Sequence, residues 1–170
     1  MVAFNQNSGN GYCTVKVILL GTGTPNAEPD RSGPSVAVTH RGESWVVDCG
    51  PGVVRRASAS ARAGHPELEP RNLRNLLITH LHSDHTAGLA DMILSPWVLG
   101  RDTPLRITGP EGTASMVSSL TEAYSADIRE RLEGLEPANP EGFRTVVEEI
   151  HGDRKIRSGE VSITCFRTNH

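Results

Sequence analysis

The sequence predicts an α/β protein, a sheet covered by helices, and three observations carry that reading. Short apolar runs stop at glycine or turn residues within a few positions, as buried strands do. Through the middle of the chain such runs alternate with longer helical stretches, while strands alone open and close it. Composition agrees: of 170 residues, 36% are hydrophobic and 22% charged, an ordinary globular balance. Aromatics make up only 4%, so the core rests on Val, Ile, Leu and Ala.

The elements follow in order. Residues 1–12 are polar and rich in Gly and Asn, a flexible lead-in, and 13–170 form one domain. Residues 15–20 are apolar and end at Gly21, which reads as a buried strand. A polar loop rich in Gly, Thr and Pro runs to Pro34. Residues 35–39 and 44–47 are strands joined by the hairpin turn His40-Arg41-Gly42-Glu43. Asp48-Cys49-Gly50-Pro51-Gly52 is a tight turn, with Pro51 near the start of a helix over 53–63. After a loop, 76–79 is a second buried strand and 86–99 a helix. A strand over 105–108 is closed by Gly109-Pro110, and helices cover 111–123 and 126–132. Residues 145–150 and 161–166 alternate as strands, with 152–159 as their connection.

Charge and cysteine narrow the function classes. Seventeen basic against twenty acidic residues give a net charge of −3, which argues against a non-specific DNA coat but leaves a local RNA-binding patch open. No apolar run approaches the roughly 18–20 residues of a membrane span. The first residues lack the basic start and apolar stretch of a secretory signal. Cys13, Cys49 and Cys165 are odd in number and show no CxxC spacing, so neither a disulfide scaffold nor a cysteine zinc knuckle is indicated. A reducing cytoplasm is the expected setting.

The chemistry lies in His80-x-His82-x-Asp84-His85, which follows the strand at 76–79 directly. Imidazole nitrogen and carboxylate oxygen are the ligands of hydrolytic zinc, manganese or iron sites. Four such side chains within six residues are too many for one tetrahedral ion, and they suit two ions side by side. His170, at another strand exit, is the candidate ligand from elsewhere. His80, His82 and His170 would hold one ion with a position open for water, and Asp84 and His85 the second. Two ligands are too few for tight binding, so either further ligands lie beyond His170 or the second site is weak; with a ligand as its last residue, the domain is expected to be incomplete at its carboxyl end.

The motif His80-x-His82-x-Asp84-His85 after an apolar strand resembles the metallo-β-lactamase fold superfamily. Asp48-Cys49-Gly50 is similar to the Asp-x-Gly turn of that fold, and His170 to its third metal-binding motif. Leu20-Gly21-Thr22-Gly23-Thr24-Pro25 followed by Arg31-Ser32-Gly33-Pro34-Ser35 resembles the branch of ribonuclease Z and its phosphodiesterase and arylsulfatase-like relatives. The resemblance implies a four-layer αβ/βα sandwich of which this chain supplies mainly the first half. It further implies a metal-dependent hydrolase acting on RNA 3′ ends or on small or cyclic phosphodiesters, with Asp84 orienting the attacking water or taking its proton. Zinc is the implied metal, with manganese or iron as alternatives, and a homodimer the implied assembly; no DNA or membrane partner is expected. Pro51-Gly52, where ribonuclease Z carries an acidic residue and a Thr–Gln pair, and Ser83 in place of Gly favour a less specialised relative. A small-molecule esterase, lactonase or sulfatase, an iron-dependent redox enzyme and a non-catalytic metal-binding fragment remain as other readings.

Remaining features read more plainly. Asp48 is a candidate to accept a hydrogen bond from a ligand-loop group, against the simpler reading of a turn-forming Asp. Arg55, Arg56, Arg62, Arg71 and Arg74 read as a solvated helix surface. His40, His65 and His151 read as surface loop residues, and Trp45 and Trp97 as core or interface anchors.

Overall fold

The computed structural model describes residues 2–6, 15–135, 137–158 and 161–168. In chain order the strands and helices are β1 (Val2–Gln6), β2 (Lys16–Gly21), β3 (Ser35–His40), β4 (Glu43–Val47), α1 (Val53–Arg62), β5 (Asn75–Leu77), the single turn α2 (Ser83–Thr86), α3 (Leu89–Val98), β6 (Leu105–Gly109), α4 (Thr113–Ala123), α5 (Ser125–Glu133), β7 (Thr145–Glu149), β8 (Arg154–Ser158) and β9 (Val161–Cys165).

Six strands form one sheet in the order β2-β3-β4-β5-β6-β7, and three form a second in the order β1-β9-β8. β2, β3 and β4 pair antiparallel, β2 to β3 across the long glycine-rich loop and β3 to β4 through a tight hairpin. From β4 onward the pairs β4–β5, β5–β6 and β6–β7 are parallel, so each return runs through helix. At the β3–β4 hairpin, Arg41 and Gly42 take φ of 49° and 80°, the left-handed pair that matches a two-residue turn to strand twist.

One face of the large sheet buries against the helices. Leu20, Ala37, Val46, Leu76 and Ile107 from the strands meet Val53, Ala57, Leu89, Met92 and Val117 from the helices. Each Val, Leu, Ile or Met side chain among them contributes roughly 1.5–3 kcal/mol of burial. The other face meets the small sheet through Trp45 and Leu77 against Val161 and Ile163. Helix, sheet, sheet is therefore the layering of the described residues, an α/β architecture as the sequence implied. A fourth, helical layer over the small sheet does not occur among them.

Several expectations differ from the structure. β2 forms, but it is an edge strand rather than a buried one: Leu20 faces the helices, while Val17 and Leu19 on its other face are each 65% exposed. The lead-in expected over residues 1–12 instead contains β1, whose backbone pairs along the edge of β9. β8 lies inside what read as a plain connection, since Arg154, Lys155 and Arg157 hide the one apolar residue, Ile156, that packs inward. The helix over 86–99 is interrupted by Gly88, for a reason given below. His40 is buried within β3, not on a surface loop. Both tryptophans are core residues: the Trp45 Nε1–H donates to Ser158 Oγ at 3.2 Å and the Trp97 Nε1–H to the Asn139 carbonyl at 2.7 Å.

Candidate metal centre

The site grows out of two loops at the carboxyl ends of β4 and β5, the end of a parallel sheet where such sites gather. Past β4 the Asp48 N–H donates to the Leu77 carbonyl at 2.8 Å, continuing the parallel ladder by one step. The chain then reverses, with Asp48 at φ 60°. That left-handed conformation is uncommon outside glycine, is tolerated best by Asn and Asp, and is held here by its surroundings. The Ser35 hydroxyl donates to the Asp48 carbonyl at 2.8 Å from the neighbouring strand.

Backbone contacts lock this turn to the histidine loop. The Cys49 N–H donates to the His85 carbonyl and the Gly88 N–H to the Cys49 carbonyl, both at 2.8 Å. A Cβ on Gly88 would lie 2.6 Å from the Gly50 carbonyl oxygen, and one on Gly50 would lie 2.6 Å from that of Asp84. Only glycine permits this approach, and the helix breaks at Gly88 because its N–H bonds Cys49 rather than the preceding turn. The first glycine-rich loop also leans on the turn, through Gly33 N–H to the Pro51 carbonyl at 3.0 Å and Gly50 N–H to the Pro34 carbonyl at 3.1 Å.

The Asp48 carboxylate, 6% exposed, is the organising group. Its Oδ1 accepts the Thr79 N–H at 2.8 Å, and the Thr79 hydroxyl donates across both oxygens at 3.0 and 2.9 Å. Its Oδ2 accepts Nδ1–H of His85 at 2.7 Å. The Thr79 hydroxyl, its proton given to Asp48, accepts in turn from His80 Nδ1 at 3.0 Å. One carboxylate thus sets the tautomers of two rings and leaves a lone pair on Nε2 of each. His85 Nε2 lies 3.5 Å from Asp84 Oδ2.

His80, His82, Asp84 and His85 are brought together in this loop. The ring centroids of His80 and His82 stand 4.6 Å apart, and those of His80 and His85 4.2 Å apart. The one-turn α2 fixes the rest: the His85 N–H at 3.1 Å and the Thr86 hydroxyl at 2.9 Å both donate to the His82 carbonyl. His170 lies outside the described residues. Among the described residues no three of these donors already converge on a single point. The donor types and the fixed tautomers fit a divalent ion of the zinc or manganese class.

Two residues escaped the sequence reading. Thr79 carries no motif signal beyond preceding His80. Arg101 looks like a surface residue in sequence, yet it is fully buried and hydrogen bonded to four backbone carbonyls. Of the five arginines read as a solvated face, Arg71 pairs with Glu69 at 2.6 Å and Arg74 approaches Asp102 at 3.6 Å.

Known proteins share this arrangement of chain. A family model described as β-lactamase superfamily domain matches residues 44–170. A protein named ribonuclease Z from Mycobacterium marinum is 40% identical over 159 residues, covering 92% of this chain and 54% of the relative. Human tRNase Z, short form, superposes with a TM-score of 0.59 at 26% identity, over 78% of this chain and 44% of that one. The metallo-β-lactamase fold protein YhfI of Bacillus subtilis superposes with a TM-score of 0.60 at 16% identity, over 85% of this chain and 49% of that one, a likeness of fold alone. The chain spans about half the length of the curated relatives it matches.

Proposed function

The chain belongs to the β-lactamase superfamily, and on that premise we propose that it forms the metal-binding part of a hydrolase that cuts phosphodiesters at RNA 3′ ends. The observation that carries this is the Asp48 carboxylate, which holds His85 directly and His80 through Thr79. Outer partners of this kind fix the tautomer and orientation of metal-ligating imidazoles. The ribonuclease Z name of a relative at 40% identity weighs for RNA, against the departures at Pro51-Gly52 and Ser83.

In this reading His80, His82 and His170 hold one ion, and Asp84 and His85 the other. Divalent ions so placed, zinc foremost, lower the pKa of bound water and neutralise charge on the phosphate oxygens. The chain's own side chains do the rest. Asp48 and Thr79 fix the tautomers of His85 and His80, so that Nε2 of each is the nitrogen left to meet a metal. Asp84 takes the proton of the attacking water. The stitched glycines Gly50 and Gly88 hold the two loops at fixed separation, so that the donors need little reorganisation. A cytoplasmic setting belongs to the same proposal, supported by the free cysteines Cys49 and Cys165.

The test is the full-length protein incubated with a precursor tRNA that bears a 3′ trailer, before and after treatment with a chelator. Release of the trailer, lost with the chelator and restored by zinc or manganese, is the expected result. Turnover confined to p-nitrophenyl sulfate or a lactone would remove the phosphodiester reading.

A further inference from the structure

We propose that the groove between α1 and α3 guides a strand of RNA into the metal loop, gripping its phosphates with Arg55 and Arg62; this rests on the RNA reading above. Both helices start at the site. α1 begins at Val53, just past the Asp48–Gly50 turn, and α3 at Leu89, just past His85. The groove between them, about 370 Å³, therefore leads away from the donor cluster. Arg55, Ser58 and Arg62 form one wall at positions that share a helix face, and Asp91 and Ser95 stand on the other. At 1.5 Å rise per residue the two arginines are about 10 Å apart along α1.

The structure divides arginines that the sequence treats alike. Arg71 and Arg74 have carboxylates beside them. Arg55 and Arg62 are exposed in the groove and have no ion pair among the described residues. The acidic group facing them, Asp91, accepts the Ser95 hydroxyl through its Oδ1. Two exposed guanidinium groups without an ion pair, on a helix that starts beside the Asp48–Gly50 turn, suit a polyanion whose phosphates are read by paired N–H donors.

Fluorescence anisotropy of a 3′-tailed RNA hairpin with the full-length protein, over a range of salt, tests the groove. Arg55→Ala with Arg62→Ala is expected to weaken binding about tenfold. It should also reduce the slope of log K against log salt by about 1.4, two single-strand phosphate contacts. The corresponding double Lys variant should keep most of the slope, and Arg129→Ala on α5 should leave it alone. Binding by the natural protein with an unchanged slope in the Ala variant overturns the groove and leaves the proposed function standing. A natural protein that binds RNA through these arginines yet releases no trailer sinks that function and keeps the groove. No RNA binding at all ends the proposal.

Discussion

Asp48 and Arg101 are both charged side chains withdrawn from solvent, 6% and 0% exposed, and they use their hydrogen bonds in opposite ways. Every N–H of the Arg101 guanidinium ends on a backbone carbonyl: Nε on Gly142, Nη1 on Leu73 and Met92, Nη2 on Ile93 and Gly142. Five donors meet carbonyls from α3, the turn before β5 and the loop before β7, and the network closes there. Burial, with Arg74 nearby, pulls its pKa down to about 10, so the group stays charged at neutral pH. Asp48 is equally well satisfied, but its partners are not terminal. Thr79 passes on to His80, and the second ring nitrogen of His85 stands 3.5 Å from another candidate donor, Asp84. A closed polar network holds a fold together, whereas an open one prepares side chains to meet something absent from the chain itself.

The largest effect should come from breaking the closed network. Arg101→Met removes a donor from four buried carbonyls, at roughly 1–3 kcal/mol for each one left without another, and should lower stability by about 4 kcal/mol. Urea unfolding measures this, and Arg101→Lys should recover only part. A neutral Arg101→Met would erase the contrast, as would a change in metal affinity once the protein is folded.

The open network should respond the other way. His82→Ala removes an exposed ring while its carbonyl still receives Thr86 and His85, so the unfolding midpoint should stay put. Metal-dependent turnover should fall beyond the roughly 100-fold expected from loss of an outer partner. Unchanged turnover removes the ligand assignment. Asp48→Asn comes next. Asn tolerates the φ of 60°, so the turn survives. The amide presents one oxygen where the carboxylate presents two, and the imidazoles lose their anion. Zinc affinity, read by competition with a chromophoric chelator, should fall about 10- to 100-fold. A stability loss in Asp48→Asn as large as that of Arg101→Met would show that Asp48 is a structural plug after all.

The same contrast explains what could be read from sequence. Strands with apolar alternation, such as β6 and β9, announce themselves because burial imposes a period of two on the residues that face the core. β8 does not, because three of its five side chains are basic and only Ile156 needs burying. The His80–His85 cluster is legible because its members are neighbours in the chain. Asp48 is legible as a candidate to accept a hydrogen bond from the ligand loop, but its particular partners at positions 79 and 85 are not, since they lie 31 and 37 residues away. Arg101 was invisible: its partners are backbone carbonyls, which every sequence carries, and nothing in an arginine's identity distinguishes a core staple from a surface charge. The exposure of Val17 and Leu19 was likewise unreadable, since a strand's place at a sheet edge is a property of topology rather than of its own residues.

A third charged side chain, Glu67, lies between the two extremes and gives the smallest effect. Burial opposes its ionisation, yet its own backbone N–H, the Thr39 hydroxyl, Lys16 and His65 together outweigh that and hold the carboxyl below its usual 4.5. His65 Nδ1 stands 3.7 Å from its Oε1. A carboxyl whose pKa is lower folded than unfolded stabilises the fold above the unfolded value, and that stabilisation is lost as pH falls through the folded one. The difference in urea midpoint between the natural protein and Glu67→Gln should therefore be level from pH 7 to about 5 and shrink at lower pH. If the difference instead grows on acidification, Glu67 is being held neutral by burial, and it sides with neither Asp48 nor Arg101.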